Sequence, residues 1–154
     1  MINKFNELLT NLGIDLDILL TPEDNSRCSL KIDDKLIIQL QIDKTEENIL
    51  VGSFISVLPP GKFRENIFVN TLKANGKIPL NTTFAFNEQS AELVLFKYLP
   101  LKELNVTLLK SNLETFIETA MKWKEALDAG QTAPIDFTRE MEQIKPSIFN
   151  KPLI

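Results

Sequence analysis

"CSLKIDDKLIIQLQID" occupies residues 28–43, and its alternation decides the fold. Cys28, Leu30 and Ile32 are separated by Ser29, Lys31 and Asp33, while Leu36, Ile38, Leu40 and Ile42 are separated by Ile37, Gln39 and Gln41. Residues two apart lie on one face of a strand, so each half reads as a strand with one apolar side. Directly opposed residues share a face, which lets loop length be tested. A two-residue loop would oppose Leu30 to Ile37 or Gln39 and mix the faces. A loop of Asp33-Asp34-Lys35 opposes Ile32 to Leu36, Leu30 to Ile38 and Cys28 to Leu40, uniting every apolar residue. The spacing predicts that three-residue loop, although it lacks the glycine usual there.

Downstream, Asn48 to Leu58 is a strand apolar on both sides, with Ile49, Val51, Ile55 and Val57 on one and Leu50, Phe54 and Leu58 on the other. Such a strand is buried twice or lies beneath a binding surface. Residues 62–75 read as a helix stopped at Asn75-Gly76. Phe63, Ile67 and Ala74 group on one stripe of it, whereas Phe68, Val69 and Leu72 fall on another. Thr82 to Asn87 and Ala91 to Leu99 are two more strands, joined by Glu88-Gln89-Ser90. The longest stripe follows: Leu109, Leu113, Phe116, Ile117, Ala120, Trp123 and Leu127. Its start is open between 104 and 112, because Ser111 and Glu114 fit a capping box while Val106 also fits the stripe. Upstream, Ile2, Phe5, Leu8, Leu9 and Leu12 form a short amphipathic helix that Gly13 is expected to stop. The predicted fold class is α+β, in the order helix-strand-strand-strand-helix-strand-strand-helix, with helices packed on a twisted antiparallel sheet. Residues 1–130 form the domain. Residues 131–154 carry three prolines and read as a tail or docking arm, with a short turn of helix near Phe137 to Ile144.

The chain of 154 residues suits one domain with a real core. A net charge of −4 argues against nucleic acid, whose phosphates need a basic field. The single cysteine excludes an internal disulfide and fits a reducing cytosol. Asn3, Lys4, Asn6 and Glu7 interrupt any secretory apolar run, and no stretch approaches the roughly 20 apolar residues of a membrane span.

Catalytic chemistry has little to work with. There is no histidine, so neither a Ser–His nor a Cys–His nucleophile pair can form. The isolated glycines make no phosphate loop. Glu23-Asp24, Asp33-Asp34 and Glu46-Glu47 sit among turn-formers without the calcium-loop pattern, so no metal site is expected. The alternation turns Cys28 into the core, where it acts as a small hydrophobe. No catalytic residue and no cofactor is expected. An enzyme using carboxylates alone, such as Glu46 and Glu47, is the least favoured reading. What remains is apolar surface: a doubly striped helix, a doubly apolar strand, and Ile37 on an otherwise polar face. Two readings stay open. Long helices cover the sheet twice, or the surplus serves a dimer interface and a groove for an extended peptide. A small-ligand-binding or regulatory domain of similar fold is the alternative.

Several segments, in order, carry a resemblance: "LLTNLGIDL" (8–16), "CSLKIDDKLIIQLQID" (28–43), "VLPP" (57–60), "LKAN" (72–75), "YLPLKEL" (98–104) and "NLETFIETAMKWKEAL" (112–127). Together they resemble class I type III secretion chaperones, the Tir-chaperone family. The resemblance spans about residues 3–130. Within it the last helix shows Leu113, Glu114 and Phe116, with Trp123 seven residues on. Only Gly76 stands where the family often has several glycines, and residues 131–154 have no counterpart in it.

The resemblance implies a dimeric protein of the bacterial cytoplasm without chemistry of its own. It would bind the N-terminal segment of a secreted effector in extended form, keep it secretion-competent and release it at the export apparatus, with its ATPase as a further partner. It would pair as a homodimer or with a related chaperone. Placed on this chain, the dimer contact falls on Phe63, Ile67, Phe68, Val69 and Leu72. The cargo contact falls on Phe5, Leu9, Leu12, Leu16, Ile37, Gln39, Leu50 and Phe54.

Overall fold

The structure, a computed structural model, describes residues 2–20, 22–24, 26–77 and 82–143. The elements in chain order are α1 (Ile2–Leu16), β1 (Arg27–Ile32), β2 (Leu36–Ile42), β3 (Asn48–Val57), α2 (Lys62–Asn75), β4 (Thr83–Asn87), β5 (Glu92–Pro100), α3 (Val106–Asp128) and α4 (Ile135–Gln143). The side chain of Ile2, the turn residue Asn25 and the end of the tail from Ile144 lie outside the described residues.

The hairpin register is the expected one: Cys28 faces Leu40, Leu30 faces Ile38, and Ile32 faces Leu36. The missing glycine is explained by Asp33 and Asp34, which both take left-handed backbone, at φ 51° and 55°. Aspartate tolerates that region better than most side chains, and the Lys35 amide closes the turn on the Ile32 carbonyl at 3.0 Å. All strand pairs are antiparallel, in the spatial order β1-β2-β3-β5-β4.

One sheet face is the core. Leu30, Ile38, Ser53, Leu95 and Phe84 line up across the five strands, and all are buried. Ser53 is satisfied by donating to the Ile37 carbonyl at 2.8 Å. Over this face lie α1, with Phe5, Leu8, Leu9 and Leu12, and α3, with Leu109, Leu113, Phe116 and Ala120. The helix α2 packs beside β4 through Ile67, Thr71 and Ala74.

Two local expectations need correction, at the end of α1 and in β3, and the open start of α3 falls within its expected range. α1 does not stop at Gly13 but runs to Leu16. It ends in a Schellman motif: Asp17 is left-handed at φ 55°, and Ile18 donates back to the Gly13 carbonyl at 2.9 Å. Gly13 is there for close approach, since a Cβ would sit 2.7 Å from the Ile18 carbonyl oxygen. α3 starts at Val106, because the Asn105 side chain caps it by accepting from the Leu108 amide at 2.8 Å, so Ser111 caps nothing. In β3 a bulge between Phe54 and Ser56 breaks the alternation. Val57 is therefore exposed, not aligned with Ile49 and Val51, and Leu58 is buried. Lys124 of α3 donates to the Ile55 carbonyl at this bulge, at 3.3 Å.

The β2–β3 turn is organised by Asp43. Its carboxylate accepts from Asn48 Nδ2 (3.0 Å), the Thr45 hydroxyl (2.9 Å) and the Glu47 amide (3.0 Å). These bonds, that to Asn48 foremost, lower its pKa to about 2 from the usual 3.8.

Two predictions follow from the turns. A pKa lowered by folding contributes stability that is present above about pH 4 and is lost as the pH falls through about 2. Asp43→Ala should be less stable than wild type in neutral urea titrations, and the gap should narrow as the pH falls from 4 to 2. Gly13→Ala should cost about 1–3 kcal/mol of unfolding free energy, well above the few tenths typical of an exposed helical position.

Candidate binding surfaces

The second sheet face carries no described helix. Across it run Ser29, Gln39, Gly52, Phe96 and Thr83 in one row, and Gln41, Leu50 and Tyr98 in the next. Its apolar residues are open to solvent: Ile37 is 52% exposed, Phe54 44% and Tyr98 53%. Leu50, Val94 and Phe96 are half-buried between them. Phe96 and Tyr98 meet edge to face, with ring centres 6.1 Å apart. An apolar strip on the solvent side of a sheet, rimmed by Gln39, Gln41, Ser29 and Lys31, has the composition of an interaction surface.

A second surface lies along the outer edge of β1, which has no strand beyond it among the described residues; the Glu23 amide takes the Arg27 carbonyl there at 2.7 Å and leaves Ser29 and Lys31 open. There the end of α1, the 18–20 segment and α3 enclose a groove of about 340 Å³. Leu12, Leu16, Leu30, Ile32, Leu113 and Ile117 supply its apolar walls. Next to it Ile14 and Leu19 stand out into solvent. An edge strand offers unpaired amides and carbonyls, and an apolar groove beside it offers side-chain pockets.

The opposite sheet edge is closed. Asn75, the last residue of α2, donates from Nδ2 to the Phe84 carbonyl at 3.0 Å and accepts from the Phe84 amide at 2.7 Å. Its side-chain amide stands in for a neighbouring strand.

The third surface is the outer side of α2. Leu72 is 70% exposed, and Val69 and Phe63 are exposed as well. Phe68 is half-buried, stacked edge-on against Phe86, with the Arg64 guanidinium over both rings.

The structure thus sorts the sequence-derived site residues. Ile37, Gln39, Leu50 and Phe54 do come together on the open face. Leu16 lines the edge groove and is exposed. Phe5, Leu9 and Leu12 do not belong to an accessible surface: α1 turns them onto the sheet, where they are fully buried, and only Leu12 reaches the groove floor. Ile67 is likewise core, with no exposure, since it shares the inward stripe of α2 with Ala74. Phe63, Val69 and Leu72 are exposed, and Phe68 is partly so. Tyr98, Phe96 and Val94 join the open face without being among the sequence-derived site residues; their signal is "LVLFKYL", apolar on both alternations but for Lys97.

Burial raises the Cys28 pKa, keeping it a thiol. Lys97 interrupts the apolar inner face opposite Val51. Burial lowers its pKa, and it donates to Asn112 Oδ1 at 2.7 Å. Among the described residues no three Cys, Asp or Glu side chains are grouped to hold a metal ion.

A model of the Tir chaperone protein (CesT) family matches residues 7–124. The chain belongs to that family. No curated protein sequence matches the chain. The fold is shared with solved structures of low sequence identity. A chain of the HopA1-SchA chaperone-effector complex aligns with TM-score 0.68 at 19% identity, over 81% of this chain and 96% of that one. A chain of the ExsC-ExsE complex aligns with TM-score 0.66 at 19% identity, over 81% and 94%. A chain of the ExoT-SpcS complex from Pseudomonas aeruginosa aligns with TM-score 0.59 at 19% identity, over 79% and 97%. At such identity these likenesses establish the fold. The α+β order read from the sequence is that of this CesT-family chain, with α4 added after it.

Burial separates scaffold from surface in a measurable way. Phe5→Ala should cost about 3–5 kcal/mol in urea unfolding. Ile37→Ala, on the open face, should stay within about 0.5 kcal/mol of wild type.

Proposed function

We propose that this protein is a chaperone of type III secretion. It holds the N-terminal segment of a secreted effector in extended form in the bacterial cytoplasm and keeps it competent for export. Membership of the Tir chaperone family supports this, as do fold relatives solved as chaperone–effector complexes. The observation that carries it is the open apolar sheet face beside a β1 edge left open at Ser29 and Lys31.

The two surfaces suit an extended chain. Backbone hydrogen bonds to the β1 edge give affinity without demanding a sequence, and alternate side chains enter apolar pockets. Ordering a long flexible segment costs entropy, so affinity needs a large apolar contact; a continuous strip from Ile37 through Phe54 to Tyr98 provides one. Binding of this kind needs no catalytic group, and no reaction is assigned to the chain. The small-ligand alternative is less well supported, because the strip is a broad open surface and the edge groove runs out to solvent beside it.

The dimer contact is assigned to α2, through Phe68, Val69 and Leu72 of its outer stripe and Phe63 at its exposed start. Leu72 and Val69 are too exposed, and too close on one helical face, to be left to water at no cost. Ile67 supports that helix from beneath.

Affinity capture of the full chain from its bacterium should retrieve a secreted protein whose N-terminal segment is protected from protease. Combining Ile37→Glu with Phe54→Glu should weaken that capture at least about tenfold, or about 1.4 kcal/mol. Retrieval of no secreted protein, or of one unaffected by the double substitution, would contradict the reading. By sedimentation the wild type should be dimeric, and Val69→Glu with Leu72→Glu should shift it to monomer while circular dichroism stays unchanged. A persistent dimer would remove α2 as the interface.

A further inference from the structure

The family match ends at residue 124, yet the described chain continues into α4. α4 lies in a groove whose floor is aromatic. Phe84 of β4 meets Trp123 of α3 with ring centres 4.7 Å apart, and Trp123 meets Phe137 of α4 at 5.3 Å. One wall is α2. Its Asn70 Nδ2 donates to the Thr132 carbonyl at 2.9 Å. Lys77, just past its end, pairs with Glu140 and sets its ammonium 5.1 Å from the Phe137 ring centre.

α4 holds this place weakly. Phe137 is the only fully buried residue of the helix, Met141 is partly buried against the core, and Ile135 is 53% exposed. A helix of nine residues does not stand alone in water, so its order depends on that docking. The fit is also loose: about 190 Å³ stays open between α4 and the floor, bounded among the described residues by Ala74, Thr82, Phe84, Trp123 and Phe137. A shallow anchor in an oversized groove is a replaceable occupant.

We propose that the groove between α2 and α3 is a docking site for an amphipathic helix of a protein partner, and that α4 is its resident, displaceable plug. The chemistry of the occupant is legible in the plug. It needs a large aromatic anchor over Trp123 and an acidic residue three positions later to meet Lys77, as Phe137 and Glu140 do. The partner helix competes with α4, so the site opens only to a ligand that outbinds it. This rests on reading the chain as a partner-binding chaperone, but its test involves no effector, so either can fail alone.

The probe is a labelled synthetic peptide of residues 131–143, titrated into the full chain. Binding is followed by polarisation and by emission of Trp123, the single tryptophan. A plugged groove lowers apparent affinity by the fraction of chains that are open, so the Phe137→Ala chain should bind the peptide at least about tenfold more tightly than wild type. Peptide carrying Phe137→Trp should bind that chain more tightly still by filling the residual space. Peptide carrying Glu140→Lys should lose binding. Equal or absent binding to both chains, or indifference to the peptide substitutions, would overturn the proposal. Should the Phe137→Ala chain fail to fold by circular dichroism, the Glu140→Lys chain takes its place. It keeps the aromatic anchor, and a lack of gain over wild type there overturns the proposal equally.

Discussion

The structure depends on one constraint: all the described helices that cover the sheet cover the same side of it. Antiparallel strands turn alternate residues to opposite faces. Here α1 and α3 seal one face, α2 and α4 close its β4 end, and no described helix crosses the other. In most one-sided sheets the free face is polar. In this chain β3 and β5 are apolar on both alternations, so Leu50, Phe54, Val94, Phe96 and Tyr98 are left on a face that no described helix covers.

The two sheet edges are treated differently, and the difference has the same sense. At β4 the amide of Asn75 takes both backbone groups of Phe84, and α2 shields the strand. At β1 the edge is left open beside an apolar groove. An exposed edge invites pairing with other chains and is commonly blunted by charge or covered. Keeping it next to an apolar face and an exposed ledge of Ile14 and Leu19 concentrates the binding capacity at one end of the sheet.

Much of this was legible in the sequence because antiparallel alternation carries phase. The residues Cys28 to Ile42 set register and inner face together, since only a three-residue loop unites their apolar positions. The two stripes of α2 were equally plain; which one faces inward was not. Helical spacing cannot say whether a stripe is core or interface, so on spacing alone Ile67 reads with the exposed residues, and Phe5 and Leu9 read with the cargo surface. Burial in a helix depends on what lies opposite it, a tertiary fact. The bulge at Phe54/Ser56 was hidden for a different reason. It inserts one residue without a glycine or proline to mark it, and it is stabilised by Lys124, 69 positions away. The docking of Phe137 on Trp123 was out of reach in the same way, because a lone aromatic in a proline-containing stretch has no periodicity to read.

A sheet closed on one side by its own helices and open on the other is what a chaperone for an extended segment requires, and hydrogen exchange reads that arrangement directly. Amides of Ser29 and Lys31 on the β1 edge should exchange fast in the free protein and slow by orders of magnitude once the secreted partner is bound, with Leu95 in the sheet centre slow in both states. Unchanged exchange along β1 in the partner-bound protein would contradict binding by strand addition at this edge.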